Sequence, residues 1–171
     1  MKSAIFFDRD GVLNDLVNRD GGKYSPQNFT DFKIANNALE ITKFTSSKGF
    51  LNIVLSNQPD ISRGTLMMDE LNQMTELLLN KLVIDEVFYC KHDDLDKCKC
   101  RKPDSGLILK ASRRLNIDLN KSYLIGDSWK DIEAAKKANV KSFLLDRDYN
   151  SNYECANRIQ SLLDVVSFIG K

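Results

Sequence analysis

The sequence predicts an α/β protein, a single Rossmann-like doubly wound parallel sheet with helices on both faces and no large cap domain. Three observations predict it. Short apolar runs alternate with helical patterns along the chain, which is the signature of strands joined by crossover helices. Residues with reactive side chains fall directly after the apolar runs, at the strand ends where open α/β sheets bind ligands. The length of 171 residues is one domain's worth of chain, enough to bury a sizeable core, so one domain is expected over residues 1–171.

The strand candidates are AIFF (Ala4 to Phe7), LNIVL (Leu51 to Leu55), EVFYC (Glu86 to Cys90), SYLI (Ser122 to Ile125) and SFLL (Ser142 to Leu145), each apolar enough to be covered on both faces. Helical patterns occupy Asn36 to Ser47, Thr65 to Leu82, Ser105 to Leu115 and Lys130 to Ala138, with a last one near Arg158 to Ile169. In the second of these, Met67, Leu71, Met74 and Leu78 recur at helical spacing and are read as core. Pro26, Pro59 and Pro103 fall in the intervening loops, and there is no repeat, low-complexity tract or Pro/Gly-rich linker.

A hydrophobic fraction of 42% and a charged fraction of 29% are those of a globular chain, which excludes fibrous and disordered classes. Lys and Arg total 25 against 24 for Asp and Glu, a net charge of +1, so no strong field favours nucleic acid or an anionic membrane. No long uninterrupted apolar span occurs, and a cytoplasmic, unanchored protein is expected. Nothing argues for an obligate partner, and a monomer is expected. The four cysteines, without an export signal, read as thiols or metal ligands rather than disulfides.

Three strand-end segments and one loop carry the chemistry. DRDGVLN (Asp8 to Asn14) puts two carboxylates two residues apart after the first strand; in extended geometry both project to one side, where one can attack an electrophile while the other handles protons. Standing alone, an Asp-x-Asp-Gly is more often a solvated turn. SNQPDISRG (Ser56 to Gly64) offers a hydroxyl and two amides suited to oxyanions or sugar hydroxyls. GDSWKDIEAAKKA (Gly126 to Ala138) sets Asp127 at a strand end, with Ser128 and Asp131 in capping-box spacing. Carboxylates brought together repel unless a cation lies between them, and such hard oxygen ligands suit Mg²⁺. Arg101 and Lys102 precede a helix where they can neutralise an anionic substrate.

In this order the four segments resemble the haloacid dehalogenase superfamily of phosphotransferases, from about Ile5 to Val140. The resemblance implies that Asp8 is the nucleophile and Asp10 the general acid/base, that Ser56, Asn57 and Lys102 grip the phosphate, and that Mg²⁺ is held by Asp8, Asp127 and the backbone carbonyl of Asp10. Asp131 matches a frequent second acidic position. Asp8 would form an aspartyl-phosphate while Asp10 protonates the leaving alkoxide and then activates water.

CKHDDLDKCKC (Cys90 to Cys100) has the pattern Cys-x-His-x₅-Cys-x-Cys. Cys90, His92, Cys98 and Cys100 are four ligands that suit one structural tetrahedral Zn²⁺ in a loop too polar to fold by burial. Cys155 has no local partner and reads as a free thiol. Together, the DRDG loop, the strand-end NQ and the Cys-rich loop running into Arg-Lys-Pro resemble the small zinc-containing branch of the superfamily. That branch includes D-glycero-D-manno-heptose 1,7-bisphosphate phosphatases and histidinol-phosphatases. The expected reaction is removal of the 7-phosphate of the heptose bisphosphate, with Arg63 and Arg101 meeting the second phosphate. The alternative is histidinol phosphate, whose amine Asp60 would meet. From another class, a phospho-acceptor or zinc-ordered binding module without turnover remains. The zinc loop and the Asn14 to Pro26 segment are expected to shape the substrate mouth.

Overall fold

β1 (Ala4–Phe7) is buried at every position, and its side chains alternate between two cores. Ile5 and Phe7 belong to one apolar cluster, Ala4 and Phe6 to the other, as the two-residue period of a strand covered on both faces requires. The computed structural model describes residues 1–155 and 157–169.

Around β1 lie β4 (Leu51–Asn57), β5 (Glu86–Cys90), β6 (Tyr123–Gly126), β7 (Lys141–Leu145) and a two-residue β8 (Arg158–Ile159), in the order β5-β4-β1-β6-β7-β8. Every pairing in this six-stranded sheet is parallel. β1 pairs with β4 on one side (Phe7 opposite Val54) and with β6 on the other (Phe7 opposite Ile125). The chain order therefore reverses across β1, and the crevice at that reversal is where α/β sheets take their ligands.

α1 (Ala38–Ser47) and α3 (Met68–Lys81) cover the first face through Ile41, Leu71, Met74 and Leu78. α4 (Gly106–Leu115) and α5 (Trp129–Lys137) cover the second through Leu107, Ile108, Ala111, Ala134 and Ala135. A single turn, α2 (Asp60–Arg63), precedes α3. Met67, read as core, is 67% exposed, because α3 starts one residue later and Leu66, at 2%, takes the buried place.

One local reading is corrected. The helix expected near Arg158 to Ile169 is β8 followed by a 3₁₀ segment, Leu162–Ser167, opened by a Ser161–Asp164 capping box. Apolar residues three apart suit a 3₁₀ turn as well as an α-helix, and Ile159 instead pairs with Leu145 at the sheet edge. The Asn14 to Pro26 segment contains a small hairpin, β2 (Val17–Arg19) and β3 (Gly22–Tyr24), a pairing too short to announce itself by periodicity. No helix among the described residues is long and apolar enough to cross a membrane.

Candidate active site

The Asp8 to Asn14 loop begins where β1 ends. Asp8 N–H donates to the Ile125 carbonyl at 2.9 Å, which ties it to β6, and the chain then turns, with Leu13 N–H donating to the Arg9 carbonyl at 2.8 Å. Across this turn the two carboxylates take separate sets of partners.

Asp8 faces cations. Its Oδ1 lies 2.8 Å from Lys102 Nζ, and the same ammonium reaches Asp131 Oδ1 at 2.6 Å and the Leu55 carbonyl at 2.9 Å. Burial alone would discharge Lys102, yet Asp131 and Asp8 outweigh it and hold the ammonium above the usual lysine range. Burial, then Asp131, raises Asp8 well above the usual carboxylate range, with Lys102 pulling the other way. Asp127, 5% exposed, is pushed up to about 7, first by burial and then by Asp131.

The acids brought together are Asp8, Asp127 and Asp131, whose ligand atoms all lie within 4.8 Å of one another. Asp131 had matched only a looser acidic position; here it caps α5 by accepting from Ser128 N–H at 3.1 Å and also anchors Lys102. The Asp10 side chain stands outside the cluster. It accepts from Arg9 Nη2 at 2.9 Å, Asn14 Nδ2 at 3.0 Å and Gln58 Nε2 at 2.8 Å. Three carboxyl groups crowded around one ammonium resist joint ionisation unless a cation joins them, and hard oxygen donors so arranged fit a divalent cation such as Mg²⁺. Two glycines allow the crowding. A Cβ on Gly11, whose φ is +83°, would lie 1.9 Å from Asp127 Oδ2, and one on Gly126 would lie 2.2 Å from the Asp131 Cβ.

Ser56 ends up buried in β4 beside Gln58, with Oγ and Nε2 2.8 Å apart. Asn57, expected on phosphate, donates to the Lys102 carbonyl at 2.9 Å and accepts from Lys102 N–H at 3.0 Å. Its amide thus sets the backbone that carries Lys102.

In the Cys-rich loop, Cys90 Sγ lies 3.6 Å from Cys98 Sγ and 3.2 Å from Cys100 Sγ, while His92 Nδ1 lies 3.5 and 3.2 Å from Cys90 and Cys100. The four donors fall within 4.8 Å of one another and none of the cysteines is in a disulfide. This donor set is compatible with tetrahedral Zn²⁺. Arg63 and Arg101 flank the loop, both already paired. Arg63 Nε is 2.6 Å from Asp93 Oδ2, and Arg101 Nε is 2.7 Å from Asp94 Oδ1. The hydrogen-bonded Arg63 guanidinium holds Asp93 down to about 2. Asp60 accepts from Gln27 Nε2 at 2.9 Å and lies 3.5 Å from Arg63.

Four residues of the site escaped the motif reading. Arg9 is fully buried and lies across the Phe32 and Tyr89 rings, 5.4 and 5.9 Å from their centroids. Beyond β7, Arg147 Nη2 donates to the Gly11 carbonyl at 2.8 Å, Tyr149 donates to Asp127 Oδ2, and Asn150 Nδ2 donates to the Asp127 carbonyl at 2.7 Å. The signal available for these three was a polar DRDYN segment at a strand end, the same signal that marked the other loops.

Aspartates gathered with a buried lysine at the carboxyl ends of a parallel sheet define a phosphatase of the Rossmann-like hydrolase class. The chain belongs to the haloacid dehalogenase-like hydrolases, whose family model matches residues 32–145. It is 35% identical over 156 residues to a D-glycero-beta-D-manno-heptose-1,7-bisphosphate 7-phosphatase of Pasteurella multocida, covering 85% of this chain and 82% of that one. To the protein of the same name from Helicobacter pylori it is 34% identical over 148 residues, covering 83% and 82%. The crystal structure of D,D-heptose 1,7-bisphosphate phosphatase from B. bronchiseptica, complexed with magnesium and phosphate, shares the fold with a TM-score of 0.82 at 24% identity over 97% of both chains.

Proposed function

We propose that this phosphatase removes the 7-phosphate of D-glycero-D-manno-heptose 1,7-bisphosphate through an aspartyl-phosphate on Asp8. The observation that carries the chemistry is Asp8 lying 2.8 Å from Lys102 Nζ in a cluster with Asp127 and Asp131. The named activity of the Pasteurella and Helicobacter relatives supports the substrate.

In this reading Asp8 attacks phosphorus in line, and Asp10, held by Arg9, Asn14 and Gln58, protonates the departing sugar oxygen and then takes a proton from the hydrolytic water. Lys102 and Ser56 bind phosphoryl oxygens, and the Lys102 charge offsets the repulsion between the carboxylate and the anionic ester. Asp8, Asp127 and Asp131, with the Asp10 carbonyl, are the groups that would hold Mg²⁺, which when bound neutralises charge developing on the transferred group. Cys90, His92, Cys98 and Cys100 would hold a structural Zn²⁺ that orders the loop carrying Arg101.

Arg101, 10% exposed in its side chain, keeps a buried Nη1 that has no partner among the described residues; that donor suits the second phosphate, with Arg63 beside it. Asp60 is committed to Gln27 and Arg63, which weighs against histidinol phosphate. The reading needs a small phosphate ester as partner and no nucleic acid, membrane or second subunit.

The test is Mg²⁺-dependent phosphate release from the heptose bisphosphate and from histidinol phosphate in parallel, with Asp8→Asn as the blank. A clear preference for the bisphosphate is expected, with turnover reduced about 10³-fold or more in Asp8→Asn. Preference for histidinol phosphate would overturn the substrate, and near-normal turnover by Asp8→Asn would overturn the mechanism.

A further inference from the structure

Tyr149 occupies the 3₁₀ turn Asp148–Asn150 that follows β7. Its side chain is spent unusually for a tyrosine: the residue is 45% exposed, while its hydroxyl donates to the buried Asp127 at Oδ2. Packing does not account for that arrangement, because the ring contributes little to either core cluster.

The turn is braced on both sides. Asn150 Nδ2 donates to the carbonyls of Asp127 and Leu145 at 2.7 and 2.9 Å, and Arg158 Nη2 donates to Asn150 Oδ1 at 3.0 Å. Arg147 holds the Gly11 carbonyl at 2.8 Å, and a Cβ on Gly11 would lie 2.8 Å from the Tyr149 hydroxyl and 1.9 Å from Asp127 Oδ2. Asp127 Oδ2 is thus pressed between Gly11 and Tyr149. Among the described residues no protein group donates to Oδ1, the oxygen left for a cation. Tyr149 also borders a recess of about 530 Å³, lined in part by Gly11, Lys23, Asn37, Arg147 and Ser161.

We propose that Tyr149 is a positioning residue for the divalent cation: its hydroxyl fixes the orientation of Asp127, so that the carboxylate meets the metal without reordering. The inference rests on the reading of Asp127 as a cation ligand. Groups that orient a metal ligand in this way commonly contribute 10- to 100-fold in affinity or activity.

The experiment is Mg²⁺ titration of the full chain without phosphate ester, by calorimetry, for wild type, Tyr149→Phe and Asp127→Asn, followed by kcat and KM at saturating Mg²⁺. Tyr149→Phe keeps the ring and removes only the donor. Its Mg²⁺ affinity should fall about tenfold or more, with KM for the ester unchanged, kcat recovering as Mg²⁺ is raised, and the metal-free protein still unfolding in one cooperative transition. Mg²⁺ affinity equal to or tighter than wild type in Tyr149→Phe would overturn the inference alone. Wild-type affinity in Asp127→Asn would overturn the reading of Asp127 and the inference with it.

Discussion

Gln58 bridges Asp10 and Ser56: its Nε2 stands 2.8 Å from Asp10 Oδ2 and 2.8 Å from Ser56 Oγ, and the residue is 2% exposed. One amide therefore ties the proposed general acid/base to the hydroxyl proposed to grip the phosphate.

Gln58→Leu keeps the volume and deletes the donor, leaving Asp10 Oδ2 and Ser56 Oγ without it in a dry site. The loss of one buried hydrogen bond to a charged group, about 1.5–3 kcal/mol, predicts a fall of roughly 10- to 100-fold in kcat with a smaller change in KM. Steady-state kinetics on the heptose bisphosphate check this.

Arg9 predicts a stability effect. It is fully buried and pairs with Asp10 at 2.9 Å, so Arg9→Met leaves a buried carboxylate short of its main partner. Breaking such a pair costs about 3–5 kcal/mol, to be read from urea unfolding at neutral pH. Arg9→Lys should recover part of the stability but not the paired contact of Nε and Nη2 with Asp10.

The acidic cluster predicts a pH dependence. Burial and Asp131 push Asp127 up to about 7, above the unfolded value near 3.9. A carboxylate shifted upward contributes stability that is fully present below its unfolded value and lost as pH rises through its folded one. Asp8 shifts in the same direction. Metal-free protein should therefore lose stability between about pH 4 and 7 on account of these groups, and stabilisation by Mg²⁺ should be larger at pH 8 than at pH 6. Thermal unfolding with and without Mg²⁺ across this range measures both, and Asp127→Asn should flatten the trend.

Removal of zinc, or Cys98→Ser, should raise KM more than it lowers kcat. Lys102 is anchored independently of the loop, by Asn57 through its backbone and by Leu55, Asp8 and Asp131 through Nζ. Arg101 instead depends on Asp94 at 2.7 Å, within the loop. Chelation followed by kinetics on the bisphosphate distinguishes the two effects, and metal analysis of purified protein should find one zinc per chain.

Local patterning carried most of the architecture into view. The five main strands and four of the helices lie where apolar runs and helical spacing put them, because burial on both sheet faces imposes continuous apolar strands and amphipathic helices. The Ser128–Asp131 capping box and the gathering of Cys90, His92, Cys98 and Cys100 were equally legible, since each depends on residues close along the chain. Arg158 to Ile169 was not, because apolar residues three apart suit more than one helix type and the sheet edge claimed Ile159.

What the sequence determined by itself was the class of fold, the strand-end placement of the acidic and polar segments, and the close grouping of Cys90, His92, Cys98 and Cys100. Tertiary structure alone decided the partners: Asp131 rather than the Asp10 side chain beside Asp8 and Asp127, Asn57 on the Lys102 backbone, Arg63 and Arg101 on Asp93 and Asp94, and Tyr149 on Asp127. The physical reason is that secondary structure follows from short-range periodicity, whereas the partner of a buried charge is set by which strand ends the parallel register brings together.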